Sequence, residues 1–104
     1  MKQYHVKITN EALLDMEMLY KYIALELLAP DNAIDQYNRI ADAIFKLDNF
    51  PERFQIFDSN LESIKELRRM PVDNYSVFYA IKGNSVIITG VLYSASDIFM
   101  RIKE

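Results

Sequence analysis

Tyr75-Ser76-Val77-Phe78-Tyr79-Ala80-Ile81-Lys82-Gly83-Asn84-Ser85-Val86-Ile87-Ile88-Thr89-Gly90-Val91-Leu92-Tyr93 holds two runs dense in β-branched and aromatic residues, 75–81 and 86–93. Lys82-Gly83-Asn84 separates them with the residue types of a tight turn, so the stretch reads as a β-hairpin. Both parities of the strands are apolar: Val77, Tyr79 and Ile81 fall on one face, Phe78 and Ala80 on the other. One face is expected to pack on helices, and the other to be covered by a closing helix or by a partner protein. Tyr75, Tyr79 and Tyr93 are amphipathic and suited to interfaces, since a buried phenol needs a partner for its hydroxyl. Just upstream stands the chain's only adjacent arginine pair, Arg68-Arg69. A rigid hairpin bordered by cations makes a platform for an anionic partner.

Working outward, Tyr4, Val6 and Ile8 alternate with His5, Lys7 and Thr9, the period of a half-buried strand. Thr9 or Asn10 can cap a helix whose apolar stripe is Ala12, Met16, Leu19, Ile23 and Leu27. Pro30 is read as its end. Asp31 or Asn32 then caps a second helix with the stripe Ala33, Tyr37, Ile40, Ala41, Ile44 and Leu47. The short link folds the two into an antiparallel pair. Asn49-Phe50-Pro51 stops the second helix. A polar connection, a strand over 65–70, the hairpin and a short closing helix capped by Ser94 or Ser96 complete the chain. The expected fold is α+β, ordered β-α-α-β-β-β-α, with a helical hairpin packed on a small, curved, antiparallel-dominated sheet.

Composition narrows the function classes. At 104 residues the chain is one domain, 1–104, and its 51% hydrophobic content is that of a folded protein. With no cysteine, disulfides and thiolate chemistry are excluded, which fits a reducing compartment. The N-terminal residues lack the apolar core of a signal peptide, and no apolar run approaches the length of a membrane span. A cytoplasmic protein that does not enter membranes is expected. Gly83 and Gly90 are the only glycines, so no glycine-rich phosphate loop exists and no nucleotide cofactor is expected. His5 has no second histidine or cysteine beside which to build a metal site, and reads as a surface residue.

The net charge of -3 is unevenly placed: residues 11–62 carry eleven acids against Lys21, Arg39, Lys46 and Arg53, whereas from 63 onward six cations face four acids. A nucleic acid would approach the C-terminal half. An acidic helical surface is also ordinary for solubility.

Leu67-Arg68-Arg69-Met70-Pro71-Val72-Asp73-Asn74-Tyr75-Ser76-Val77-Phe78-Tyr79, followed by Val91-Leu92-Tyr93-Ser94-Ala95-Ser96-Asp97, resembles the C-terminal signature of the RelE/ParE superfamily of bacterial toxins, the plasmid stabilisation proteins. The start is similar as well: Tyr4 to Thr9, then Ala12, Asp15, Tyr22-Ile23, Pro30, Ala33, Leu47, Phe50-Pro51 and Arg53. The resemblance implies a growth-inhibiting toxin of a type II toxin–antitoxin system, blocked by a cognate antitoxin in a hetero-oligomer. It also implies one of two activities, inhibition of DNA gyrase by binding, or cleavage of messenger RNA in the ribosome. A third possibility is a non-toxic remnant that only binds antitoxin.

RNA cleavage beside a 2′-hydroxyl needs a base, cations for the phosphate and an acid for the leaving oxygen. The candidates are Arg68, Lys65, Tyr79, Tyr93 and Arg101. Ser94-Ala95-Ser96 stands where many relatives have basic residues, which weakens the nuclease reading and favours a ParE-like toxin that binds its target. Arg68 falls on the arginine of the family signature and can grip phosphate or carboxylate with two parallel hydrogen bonds. It either pairs with an acid such as Glu66 or Asp73, or contacts antitoxin or target; Arg68→Ala is expected to lower toxicity with little loss of fold. Arg69 points to the opposite face if both lie in a strand. Contacts to target or antitoxin are expected at Arg68, Arg69, Tyr75, Tyr79 and Tyr93, with Tyr20 and Tyr22 as further possibilities on the helices. Arg101 and Lys103 belong to the expected closing helix.

Overall fold

The computed structural model describes residues 3–56 and 67–94. Strand β1 (His5–Ile8) leads into helix α1 (Asn10–Lys21), which continues as a π-helical segment, Tyr22–Glu26. Helix α2 (Pro30–Phe45) runs back, and short 3-10 turns at Lys46–Asp48 and Pro51–Arg53 come after it. Strands β2 (Arg68–Val72), β3 (Tyr75–Lys82) and β4 (Ser85–Tyr93) complete a four-stranded sheet in the order β1-β4-β3-β2. The α+β helical hairpin on a small sheet agrees with the fold expected from the sequence. β1 pairs parallel to β4, and the other two pairings are antiparallel. The expected closing helix, with Arg101 and Lys103, lies outside the described residues, as does Lys65.

Thr9 caps α1 as expected, its hydroxyl oxygen accepting from the Ala12 amide at 3.2 Å. The same hydroxyl donates to the Ile88 carbonyl at 2.8 Å, tying the helix start to the central strand. Ala12, Met16, Leu19 and Ile23 are buried against Ala33, Ile40, Ile44 and Leu47. The sheet contributes Tyr4, Met70, Val77, Tyr79, Val86, Ile88 and Val91 to the same cluster. Val77 and Tyr79 therefore share the helix-facing side, with Ile81 packed at its edge. Phe78 is outside this cluster and buried nonetheless.

Three expectations about the helices are corrected. Leu27, expected to close the buried stripe, is 56% exposed, because the π turn widens the helix by one residue and rotates the positions beyond it. Pro30 opens α2 rather than ending α1: it sits in the first turn, where its missing N–H costs nothing. Asp31 and Asn32 lie inside α2; the N-cap is Ala29, which has no side-chain acceptor to offer. What stops the first helix is Leu28, in the left-handed region at φ 51. Behind it the amide of Ala29 donates back to the Ile23 carbonyl at 3.1 Å. Glycine is the usual residue at such a helix end.

Leu28 is 82% exposed, so its side chain contributes little burial to offset a strain of about 1–2 kcal/mol. Leu28→Gly relieves that strain, while glycine's greater loss of chain entropy on folding, about 0.5–1 kcal/mol, takes back part of it. A melting temperature raised by a few degrees is expected in thermal denaturation monitored by circular dichroism.

The sheet turns obey their residue types. Gly83 takes φ 60, as the first central position of a type II′ hairpin turn requires. Between β2 and β3, Asp73 takes φ 54, a conformation that aspartate tolerates better than most residues. Its carboxylate accepts from Gln36 Nε2 at 3.0 Å and Arg39 Nε at 2.9 Å, which fastens the turn to α2. Those hydrogen bonds, from Gln36 first and Arg39 next, hold its pKa below the ordinary 3.8. A depressed folded-state pKa gives stability that is complete above the unfolded value and disappears as pH falls through the folded one. The urea midpoint of Asp73→Asn should therefore lie below that of the native chain at pH 7, with the gap closing below about pH 4. An equal gap at pH 7 and pH 2.5 would remove the carboxylate from this role.

A register shift at Phe78/Tyr79 marks a bulge opposite Gly90. Beside it the Val91 amide donates to Asp15 Oδ2 at 2.9 Å, so α1 supplies an acceptor there. A Cβ on Gly90 would lie 3.4 Å from that oxygen, and a longer side chain would compete for the space.

Candidate functional site

Arg68 and Arg69 leave β2 on opposite faces, as strand geometry demands. Arg68 is cross-strand from Tyr79, and its Nη1 donates to the carbonyls of Phe54 at 2.6 Å and Glu52 at 3.1 Å. The Tyr79 hydroxyl donates to the Pro51 carbonyl at 2.6 Å, and the Tyr4 hydroxyl to Glu52 Oε2 at 2.7 Å. Arg53 Nη1 donates to the Asn49 and Phe50 carbonyls and its guanidinium stands over the Phe54 ring, 5.0 Å from the centroid. The segment 49–54, in which Phe50 holds φ 53, is thus fixed by three side chains from elsewhere in the chain, Tyr4, Arg68 and Tyr79, and by its own Arg53.

Tyr79 is fully buried, so the expectation that it touches target or antitoxin is corrected: the ring fills the core and the hydroxyl serves Pro51. Burial pushes its pKa up to about 12, which opposes a role as base at neutral pH. Nor does Arg68 pair with Asp73, which is taken by Gln36 and Arg39. Arg68 fastens a loop through backbone carbonyls instead, and this changes the expected outcome of truncating it. Two hydrogen bonds from a charged donor are lost, so Arg68→Ala should lower stability by about 1–3 kcal/mol. Chemical denaturation checks this, and an unchanged midpoint with unchanged slope would contradict it.

Arg69 lies exposed on the other face, where Nε donates to Ser76 Oγ at 2.8 Å. Ser76 is buried and shares a 2.8 Å hydrogen bond with Ser94 Oγ. Ser94 is therefore part of a hydrogen-bonded chain, through Ser76, that orients Arg69.

Tyr75 and Tyr93 are brought together across β3 and β4 as an edge-to-face pair with centroids 5.6 Å apart. Burial first, then the nearby Tyr93 and Tyr22 hydroxyls, raises the pKa of Tyr75. This pair forms one wall of a groove of about 800 Å³ between the helical hairpin and the ends of β3 and β4. Met18, Tyr22, Ile23 and Leu27 form the helical wall. Asp15, Asp35, Gln36 and Arg39 supply its polar groups. Met18 and Tyr22 are more than half exposed, as are Leu14 and Leu25 on the same helix. Leu14, Met18, Tyr22 and Leu25 recur at four- and three-residue spacing, a second apolar stripe that sequence reasoning missed except for Tyr22. That surplus over one buried face was the available signal.

A partner segment would find apolar walls, three tyrosines and carboxylates here, whereas the arginine pair stands elsewhere. Among the described residues no group of three or more His, Cys, Asp or Glu is placed to hold a metal ion. No helix among them is long and apolar enough to cross a membrane.

Comparison with solved structures finds the same fold in toxin–antitoxin systems. A chain of the chromosomal ParDE system from P. aeruginosa superposes with a TM-score of 0.71 at 18% identity, covering 88% of this chain and 96% of that one. A chain of the RelBE2 toxin–antitoxin complex from Mycobacterium tuberculosis gives 0.62 at 18% identity, covering 88% and 98%. Comparison with curated proteins gives no match. The family model for the ParE toxin of the type II toxin–antitoxin system parDE matches residues 6–98. With that match spanning the helical hairpin, the groove and all but the first residue of the sheet, the chain belongs to the ParE toxin family of type II toxin–antitoxin systems.

Proposed function

We propose that the cognate antitoxin seats a segment in the groove between the helical hairpin and the Tyr75–Tyr93 pair, and that the released toxin acts by binding DNA gyrase. Tyr22, Met18, Leu27, Tyr75 and Tyr93 are the contacts on which the first half rests. What supports a binding toxin over a ribonuclease is that the described acid, base and phosphate candidates other than Tyr93 have internal employment. Tyr79 serves Pro51, Arg68 holds two carbonyls, and Arg69 is turned toward Ser76. Tyr93 is on the groove side of the sheet, opposite the face that carries Arg69.

Supercoiling by purified gyrase, titrated with folded toxin, tests the activity. Loss of supercoiling that is restored by antitoxin is the expected result. Undiminished supercoiling at saturating toxin, together with new A-site cleavages in primer extension on translated messages, would transfer the chain to the ribonuclease reading. Normal growth on expression without antitoxin would reduce it to an antitoxin-binding protein.

A further inference from the structure

Helix α1 carries apolar residues on two sides, and the side away from its buried stripe is not that of an ordinary solvated helix. Leu14, Met18 and Tyr22 follow one another at a spacing of four, with Leu25 three residues on, and each is more than half exposed. Beside that stripe, again four apart, stand Glu17 and Lys21, whose carboxylate and ammonium meet at 2.9 Å. One flank is therefore neutral, with one charge of each sign in a fixed order along the helix. A second copy of the chain complements that order. Laid antiparallel about a two-fold axis at Met18, the stripe sets Leu14 against Tyr22 of the second copy and Met18 against Met18. The same axis turns Glu17 toward Lys21 of the second copy, and Lys21 toward its Glu17. A parallel arrangement would oppose like charges along this flank instead.

We propose that the free chain self-associates through this face as a weak dimer with two-fold symmetry, its two α1 helices antiparallel. Burial of the stripe drives the association, and the Glu17 and Lys21 pairs set its direction. The extent of the face sets its strength. Four exposed apolar side chains and two charges are far fewer than the about 20–30 residues per partner of a stable interface, so the dimer belongs to the transient class, half-dissociated at roughly 10–100 μM. Ala12, Met16 and Leu19, the buried residues of α1, lie on its other side, so the stripe can be altered without touching the core. Self-association does not require the groove reading, but the two share Met18 and Tyr22, and antitoxin and a second copy therefore compete for the toxin.

Sedimentation equilibrium of the full chain, loaded at about 5 to 500 μM, tests this. The weight-average mass is expected to rise with concentration from 12.2 kDa toward twice that value. Met18→Ala removes a contact from both copies at once, and should weaken the dimer about tenfold with an unchanged melting temperature. Glu17→Lys should weaken it about fivefold or more at low salt, and the double variant Glu17→Lys/Lys21→Glu should restore native association, because the swapped order still complements its own copy. A monomer at every concentration, a dimer indifferent to Met18→Ala, or a double variant no tighter than Glu17→Lys overturns the proposal. The cognate antitoxin forms a separate arm, titrated at nanomolar toxin where no dimer forms. If its affinity is unchanged in Tyr22→Ala, the groove is not its seat and that reading fails, while sedimentation still decides self-association.

Discussion

Ile88→Asp abolishes the cooperative melt of this domain. Ile88 is fully buried at the centre of β4, which is paired with β1 on one side and β3 on the other. Opposite it across β3 is Tyr79, and the Ile88 carbonyl receives both the amide and the hydroxyl of Thr9. Removing the isoleucine forfeits about 1.5–3 kcal/mol of burial. The carboxyl that replaces it gains no charged partner among its described neighbours, and must either stay protonated or bring a buried charge, each at several kcal/mol. A total above about 4–5 kcal/mol rivals the stability of a domain this size, about 5–15 kcal/mol. Ile88→Val is the control, because one lost methylene costs about 0.5–1.5 kcal/mol and should keep a cooperative transition. Far-UV circular dichroism on heating distinguishes the two. A cooperative melt of Ile88→Asp within a few degrees of the native chain would mean that β4 is not the centre of the sheet.

How legible β4 was from the sequence depends on which property is asked of it. Its existence, its apolar character and its turn to β3 can be read from residues 75–93 alone, because a two-residue turn and a period of two are local. The parallel pairing of β1 is not local. It is made after two helices have intervened, and β1 alternates in a way that fits an edge beside either neighbour. Leu28 was invisible for a different reason: a leucine in the left-handed region breaks the rule that makes helix ends readable, and Pro30 two residues later drew the boundary to itself. At the candidate site, strand parity separated Arg68 from Arg69 correctly. The employment of Arg68 and Tyr79 could not be read, since their acceptors are carbonyls of residues 51–54, and backbone groups leave no trace in residue identity. The groove was half legible. Tyr75 and Tyr93 were marked as amphipathic and Tyr22 as a helical contact, but the stripe through Met18 and Leu25 was masked by the stronger one through Ala12, Met16 and Leu19.

Leu27→Asp should then weaken antitoxin binding roughly thirty- to a thousandfold without unfolding the toxin. The two halves of this expectation rest on different observations. Stability is spared because Leu27 is 56% exposed and lies past the last buried turn of the helix, where a carboxylate remains in water. Affinity is lost because the same side chain lines the groove beside Tyr22 and Ile23, where an apolar segment would strip that water away. Truncating a central interface anchor costs about 2–4 kcal/mol, and an uncompensated charge in a closing apolar site belongs at the upper end. Each 1.4 kcal/mol is a factor of about ten, which gives the range stated. Asp35, which lines the same groove, deepens the effect by repelling the newcomer in any state that excludes solvent. Calorimetric titration with the antitoxin, run beside a thermal melt of the free variant, separates the two halves. Native affinity with a native melt would place the antitoxin on another surface of the toxin.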